Sequence, residues 1–246
     1  MRNIKLTLSY DGTDFSGWQT QPGFRTVQET LENAIAKLTG EARIRVNASG
    51  RTDAGVHAVS QVVNFYSTTA LPCETLVRAI NAHLPNDVVI REAVDVPESF
   101  DANHDAARKL YRYVIHDGDV PNPFMRRYAC QSRHKLDAAA MRRAAEPLKG
   151  RHDFSSFETD GSPRMSSVRT VLHLAVNRVG DWIWIDVEAD GFLYNMVRAI
   201  VGTLMSVGRG YWPESQVAAI LQSGDRTLAG PTAPAQGLFL MRVVYD

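Results

Sequence analysis

Asn47-Ala48-Ser49-Gly50-Arg51-Thr52-Asp53-Ala54-Gly55-Val56-His57-Ala58 holds two glycines around an Arg-Thr-Asp run, the composition of a loop. Strand-like stretches flank it, Arg43 to Ala48 before and Gln61 to Ser67 after. Further out, Thr26-Val27-Gln28-Glu29 reads as a capping box opening a helix that runs to Gly40. Val27, Leu31, Ala34, Ile35 and Leu38 fall on one face of it. Pro72 starts a second helix carrying Leu76, Val77, Ile80 and Leu84. Ile4, Leu6, Leu8 and Tyr10 alternate with polar residues as a half-buried strand does, Asp11-Gly12 marks a turn, and Val88 to Val96 closes the half. The expected order over residues 1–104 is β-α-β-β-α-β.

Residues 105–246 repeat that order. Lys109 to His116 alternates as a strand, and Asp137 to Lys149 reads as a helix. Val168 to Val179 and Trp182 to Ala189 form two strands joined at Gly180-Asp181. Tyr194 to Val207 is an apolar helix, Pro213 to Gln222 another, and Leu238 to Val244 a final strand. The fold class expected is α+β, two ferredoxin-like halves with mainly antiparallel sheets. The case for duplication rests on element order alone, because residue-level similarity between the halves is weak.

The chain has 246 residues, 44% hydrophobic and 22% charged, ordinary for a soluble globular protein. Its two cysteines, Cys73 and Cys130, stand far apart with no metal-ligand spacing, so neither a disulfide framework nor a metal site is expected. Met1 to Leu6 alternates apolar with polar, unlike a signal peptide, and no run approaches the roughly eighteen apolar residues of a membrane span. A soluble, cytoplasmic protein is expected. Net charge is zero, yet Arg108 to His152 holds eleven Lys or Arg against four Asp or Glu, a local excess of seven positive charges. A focused basic region is the electrostatic footprint of phosphate contacts, or else a solvated face with fortuitous clustering.

Read without reference to other proteins, the Asp53 loop is most simply structural. Gly50 and Gly55 shape a turn, Asp53 caps a short helical turn after it, and Arg51 makes a surface ion pair. The functional reading needs a carboxylate on a rigid loop beside an arginine, which keeps it ionised.

Gly50-Arg51-Thr52-Asp53-Ala54-Gly55-Val56-His57 resembles the hallmark of the tRNA pseudouridine synthase A family. Further segments resemble the family in its own order: Tyr10-Asp11-Gly12-Thr13 with Gly17-Trp18-Gln19, Thr26 to Glu29, Lys109-Leu110-Tyr111-Arg112-Tyr113, Phe154-Ser155-Ser156-Phe157, and Met196-Val197-Arg198 with Ile200-Val201-Gly202. The stretch from about Gly118 to Leu136 is less similar. The resemblance implies the pseudouridine synthase fold and an isomerase that converts uridine to pseudouridine at positions 38, 39 and 40 in the anticodon stem-loop of tRNA. It implies Asp53 as nucleophile, Tyr111 as contact to the flipped uridine, Arg51 and Arg198 as bordering arginines, no cofactor, and a homodimer on tRNA.

The residue types suit that chemistry. A carboxylate can attack the sugar or take a ribose proton, and nearby donors help the uracil leave. Arg198 sits at the margin of an apolar helix face, where a cation needs an anionic partner, and Asp53 is the candidate. Arg51 is placed to fill the gap left by the extruded base. His57 is expected to be structural, Trp182 and Trp184 to serve packing or a subunit interface, and Phe15 and Trp18 to flank the first loop. The competing readings are an RNA-binding module without activity and a small-molecule enzyme; the latter leaves the basic region unexplained and lacks a phosphate-binding glycine loop.

Overall fold

The computed structural model describes residues 1–159 and 166–246. By contacts the chain divides into two compact units, Met1–Ala107 with Phe239–Asp246, and Arg108–Leu238.

The first unit follows the expected order: β1 (Arg2–Tyr10), α1 (Val27–Thr39), β2 (Asn47–Ala48), β3 (His57–Ser67), α2 (Cys73–Asn81) and β4 (Val88–Val96). β1 lies between β3 and β4, antiparallel to both, in a register that sets Ile4 against Phe65 and Leu6 against Val63. Ile4, Leu6 and Leu8 are fully buried, and α1 adds Val27, Leu31, Ala34 and Ile35 to the core.

Three expectations shift here. The strand expected from Arg43 contracts to Asn47–Ala48, although Ile44 and Val46 remain buried; the Val46 amide bonds to Glu32 Oε1 at 3.0 Å rather than to a neighbouring strand. β3 begins at His57, four residues earlier than expected. The capping box does not form: the Thr26 side chain makes no cap bond, and its buried Oγ1 has no partner among the described residues. The first amides of α1 instead reach back to a loop, Val27 N to the Gly17 carbonyl (3.2 Å) and Gln28 N to the Trp18 carbonyl (3.0 Å). They satisfy the same orphan donors that a capping side chain would.

The second unit contains β5 (Ala106–His116, which begins in the first unit), β6 (Cys130–Gln131), α3 (Ala138–Ala145), β7 (Gly150–Asp153), β8 (Val168–Val179), β9 (Trp182–Ala189), α4 (Met196–Gly208) and α5 (Ser215–Ser223). β5, β9, β8 and β7 pair antiparallel in that order, and β6 runs parallel to β5. Every residue of α4 except Arg198 is buried, as befits a helix apolar almost all round. The segment 230–233 crosses it closely: a Cβ on Gly202 would stand 1.7 Å from the Pro231 carbonyl oxygen.

The last strand, β10 (Leu238–Tyr245), belongs mainly to the first unit. It runs parallel to β3, Phe239 opposite His57 and Leu240 opposite Ala58, and its Tyr245 hydroxyl donates to the Ala102 carbonyl at 2.7 Å. The second half therefore ends by completing the sheet of the first, which element order alone does not reveal. Pairing in both units is mostly antiparallel among helices, the α+β class expected.

Candidate active site

Asp53 sits on the loop between β2 and β3, and the chain on either side of it is fixed by hydrogen bonds to three other segments. At the start, the Ser49 amide donates to the Val62 carbonyl (2.9 Å), Ser49 Oγ meets Gln61 Oε1 (2.6 Å), and Gln61 Nε2 donates to the Gly50 carbonyl (2.9 Å). In the middle, Thr52 is buried; its carbonyl accepts from Trp18 N at 3.0 Å and its hydroxyl bonds the Tyr10 hydroxyl at 2.7 Å. Burial pushes the Tyr10 hydroxyl far above its ordinary pKa, so it remains a neutral partner. At the end, Gly55 N donates to the Phe15 carbonyl (3.3 Å) and Val56 N closes a turn on the Asp53 carbonyl (3.1 Å).

Two glycines outside the loop are needed for this fit. A Cβ on Gly12 would stand 2.0 Å from the Val56 carbonyl oxygen, which no backbone adjustment of a few tenths of an ångström relieves. Gly17 has φ +92°, and a Cβ there would meet the Thr52 carbonyl oxygen at 3.0 Å. His57 is 2% exposed; its Nδ1 accepts the Gly12 amide at 3.0 Å and its ring stacks on Phe239 at 4.7 Å, so its role is structural, as expected. Phe15 and Trp18 are likewise buried in this clamp rather than presented to a ligand. With its backbone held, the loop leaves Asp53 half-buried and Arg51 exposed.

Tyr111 and Arg198 lie in the second unit. Tyr111, on β5 opposite Val187 of β9, is 7% exposed and takes the edge of Phe192 at 5.0 Å with an interplanar angle of 83°. Arg198 stands in the first turn of α4, where its Nε donates to the Ala233 carbonyl (2.7 Å) and its Nη1 to Asn195 Oδ1 (2.8 Å). Asn195 precedes the helix at φ 60°, ψ 6°, the left-handed region that asparagine tolerates better than most residues. Its Nδ2 reaches Thr159 Oγ1 at 3.3 Å and its carbonyl accepts from Ala199 N at 2.9 Å. Thus Asn195 starts the helix and, with the Ala233 carbonyl, orients the arginine. Sequence reading missed Asn195, Tyr10, Thr52 and Gln61 as supports; the family-like segments that contain or adjoin the first three were the available signal.

The structure also qualifies the basic region. Arg108 pairs with Glu188 (3.0 Å), Arg112 with Asp186 (2.7 Å), Lys135 with Asp181 (2.7 Å) and Arg143 with Glu214 (2.6 Å). Acids distant in sequence thus neutralise much of the local excess. Trp182 and Trp184 share one face of β9, opposite His116 and Val114 of β5. Among the described residues, no three His, Cys, Asp or Glu side chains converge as metal ligands do, and no helix is long and apolar enough to cross a membrane.

The chain matches the family model described as tRNA pseudouridine synthase over residues 7–105 and 144–246. A protein of Thermoanaerobacter sp. (strain X514) named tRNA pseudouridine synthase A is 48% identical over 245 residues, with both chains covered in full. Proteins of the same name from Acetivibrio thermocellus and Moorella thermoacetica are 45% identical over 245 residues and 48% identical over 244 residues. The first of these covers both chains in full; the second covers 98% of this chain and 99% of the relative.

Proposed function

The chain belongs to the tRNA pseudouridine synthase family, isomerases that convert uridine to pseudouridine in tRNA, and we propose that it acts at positions 38, 39 and 40 of the anticodon stem-loop with Asp53 as nucleophile. In this reaction the N1–C1′ bond of uridine breaks, the uracil turns over, C5 joins C1′ and gives up its proton, and N1 ends protonated. The atoms balance within one nucleotide, so no redox step or group donor is needed. Asp53 acts on the ribose, by attack at the sugar or by removal of a ribose proton. Arg51 and Arg198 assist, their guanidinium groups stabilising negative charge on the carboxylate and on the departing uracil. Tyr111 contacts the flipped uridine with its ring.

The observation that carries this reading is the Asp53 loop. A half-buried carboxylate stands beside an exposed arginine on a backbone held by Gly12, Trp18, Phe15 and Gln61. A surface turn of purely structural use has no need of such support, whereas a carboxylate that must meet one ribose atom does.

Two further elements complete the proposal. The protein acts in the cytoplasm as a homodimer, with one tRNA touching both subunits. Half-buried Trp182 and Trp184, beside exposed Val179 in the second unit, support an intersubunit contact there. Sedimentation of the purified protein tests the dimer.

The decisive experiment is incubation with unmodified tRNA, with pseudouridine then mapped at nucleotide resolution. Product confined to positions 38–40 is the expected result. Binding without product would favour the RNA-binding module, and product elsewhere would remove the positional assignment.

A further inference from the structure

The cations of the basic region do not share one fate. Lys109, on β5 (Ala106–His116), stands outside the four ion pairs described above. It is half-buried, and among the described residues it has no acidic partner; the charge that acts on it is another cation, Arg169. Burial pushes the Lys109 ammonium below its ordinary pKa, and Arg169 pushes it the same way. Arg169 is tied through Nη1 to the carbonyls of Ser166 (3.0 Å) and Val168 (2.6 Å), again without an acid among the described residues. The nearby Asp190 carboxylate is turned to the Thr170 amide at 2.9 Å.

Strand register explains how the two cations come to face one another. Lys109 pairs with Ala189 of β9, and Ala189 pairs with Val171 of β8, so all three side chains share one face of the sheet. Arg169 lies two residues before Val171, and Gly191 two residues beyond Ala189. Between the cations the central chain therefore presents its smallest residues, Ala189 and Gly191. A Cβ on Gly191 would stand 3.3 Å from Arg169 Nε and 3.4 Å from its Cδ, so the arginine stem lies over that glycine. Tyr111 shares the face of Lys109 two residues along, roughly 6.6 Å away. Two like charges brought together out of bulk water are unfavourable until an anion joins them.

We propose that Lys109 and Arg169 together grip a phosphodiester of the RNA strand, the one next to the nucleotide that Tyr111 contacts. This subsite sets the register at which a uridine enters the site. It rests on the reading of Tyr111 as a contact to the target nucleotide and adds the backbone anchor that reading lacks. Phosphate contacts fix position and orientation without reading sequence, which suits an enzyme that serves adjacent uridines.

The test uses the full-length protein as wild type, Lys109→Gln, Lys109→Arg and Arg169→Gln. Affinity for an unmodified tRNA transcript is measured across a salt series, alongside kcat and KM for pseudouridine formation. Inorganic phosphate is titrated separately against each protein. Lys109→Gln and Arg169→Gln should each weaken tRNA binding about tenfold, the scale of one charge-assisted contact. Each should lower the slope of log affinity against log salt by about 0.7 to 0.9. Most of the catalytic loss should fall in KM, and Lys109→Arg should restore the slope. An unchanged slope in both Gln variants overturns the subsite, as does a slope that Lys109→Arg fails to restore. Loss of inorganic phosphate binding with unchanged tRNA slopes also overturns it, because the site then takes free phosphate and not the RNA backbone. Should Lys109→Gln fail to fold, Arg169→Gln decides. Failure of the broader reading looks different, since the wild type would then form no pseudouridine at all.

Discussion

The loop that carries Asp53 and the helix turn that carries Arg198 are held by different means. Around Asp53 most bonds are made by main chain: Trp18 to Thr52, Gly55 to Phe15, Ser49 to Val62, with the first amides of α1 bonded to the same Gly17–Trp18 segment. Side chains such as Tyr10 and Gln61 reinforce that frame. Around Arg198 the Ala233 carbonyl takes Nε, and the rest of the frame described is one side chain and one unusual backbone conformation, both belonging to Asn195. A region held by main chain is vulnerable where glycine is replaced, because backbones must approach closely. A region held by a side chain is vulnerable to truncation of that side chain and indifferent to an added glycine.

Substitutions at four positions probe this contrast. The largest effect belongs to the group that the frame supports. Asp53→Asn should reduce single-turnover pseudouridine formation by on the order of 10³-fold or more while tRNA affinity stays within a few-fold. Appreciable remaining activity would remove Asp53 as nucleophile. Next comes the frame itself. Gly12→Ala forces a Cβ to within 2.0 Å of the Val56 oxygen and should cost about 3 kcal/mol in urea unfolding, with activity falling further than the folded fraction. A loss under about 1 kcal/mol would mean that the loop yields easily and is not held as described.

Asn195 separates backbone from side chain. Asn195→Ala keeps a Cβ in the left-handed region without local hydrogen bonds, at about 1 kcal/mol, and should lower kcat/KM about tenfold through loss of the acceptor for Arg198. Asn195→Gly should recover the stability and not the activity. If Gly recovers both, the bond to Arg198 is idle. The smallest effect is expected at Thr26. Its hydroxyl is buried without a partner among the described residues, so Thr26→Val should leave stability unchanged or raise it by up to about 1 kcal/mol. A drop of that size in thermal unfolding would restore the capping box that the structure does not show.

Legibility in the sequence divides along the same line. The hairpin of β8 and β9 was readable because alternation and Gly180-Asp181 are local properties, and the hairpin forms with Val179 paired to Trp182. The length of β2 was not readable, since Ile44 and Val46 are buried whether or not a ladder forms. The membership of β10 was hidden for a related reason: alternation reports that a strand has a buried face, never which strand lies beside it. The charge excess between Arg108 and His152 misled in part, because Asp181, Asp186, Glu188 and Glu214 come from outside that window to meet it. At the site, the Arg51–Asp53 loop stood out through its glycines and its resemblance to a family. Asn195 and the Lys109–Arg169 pair did not, because their roles depend on a dihedral angle and on strand register.

Residue order was enough for most of the elements, the loop bearing the carboxylate and the family, since periodicity, turn residues and a run of close motifs are written along one dimension. It took the folded chain to fix which backbones support Asp53, which acids neutralise the basic segment, and where two cations stand together with no acid among the described residues. Those outcomes arise from distances between residues remote in sequence, and Coulombic and packing forces act on such distances rather than on order along the chain.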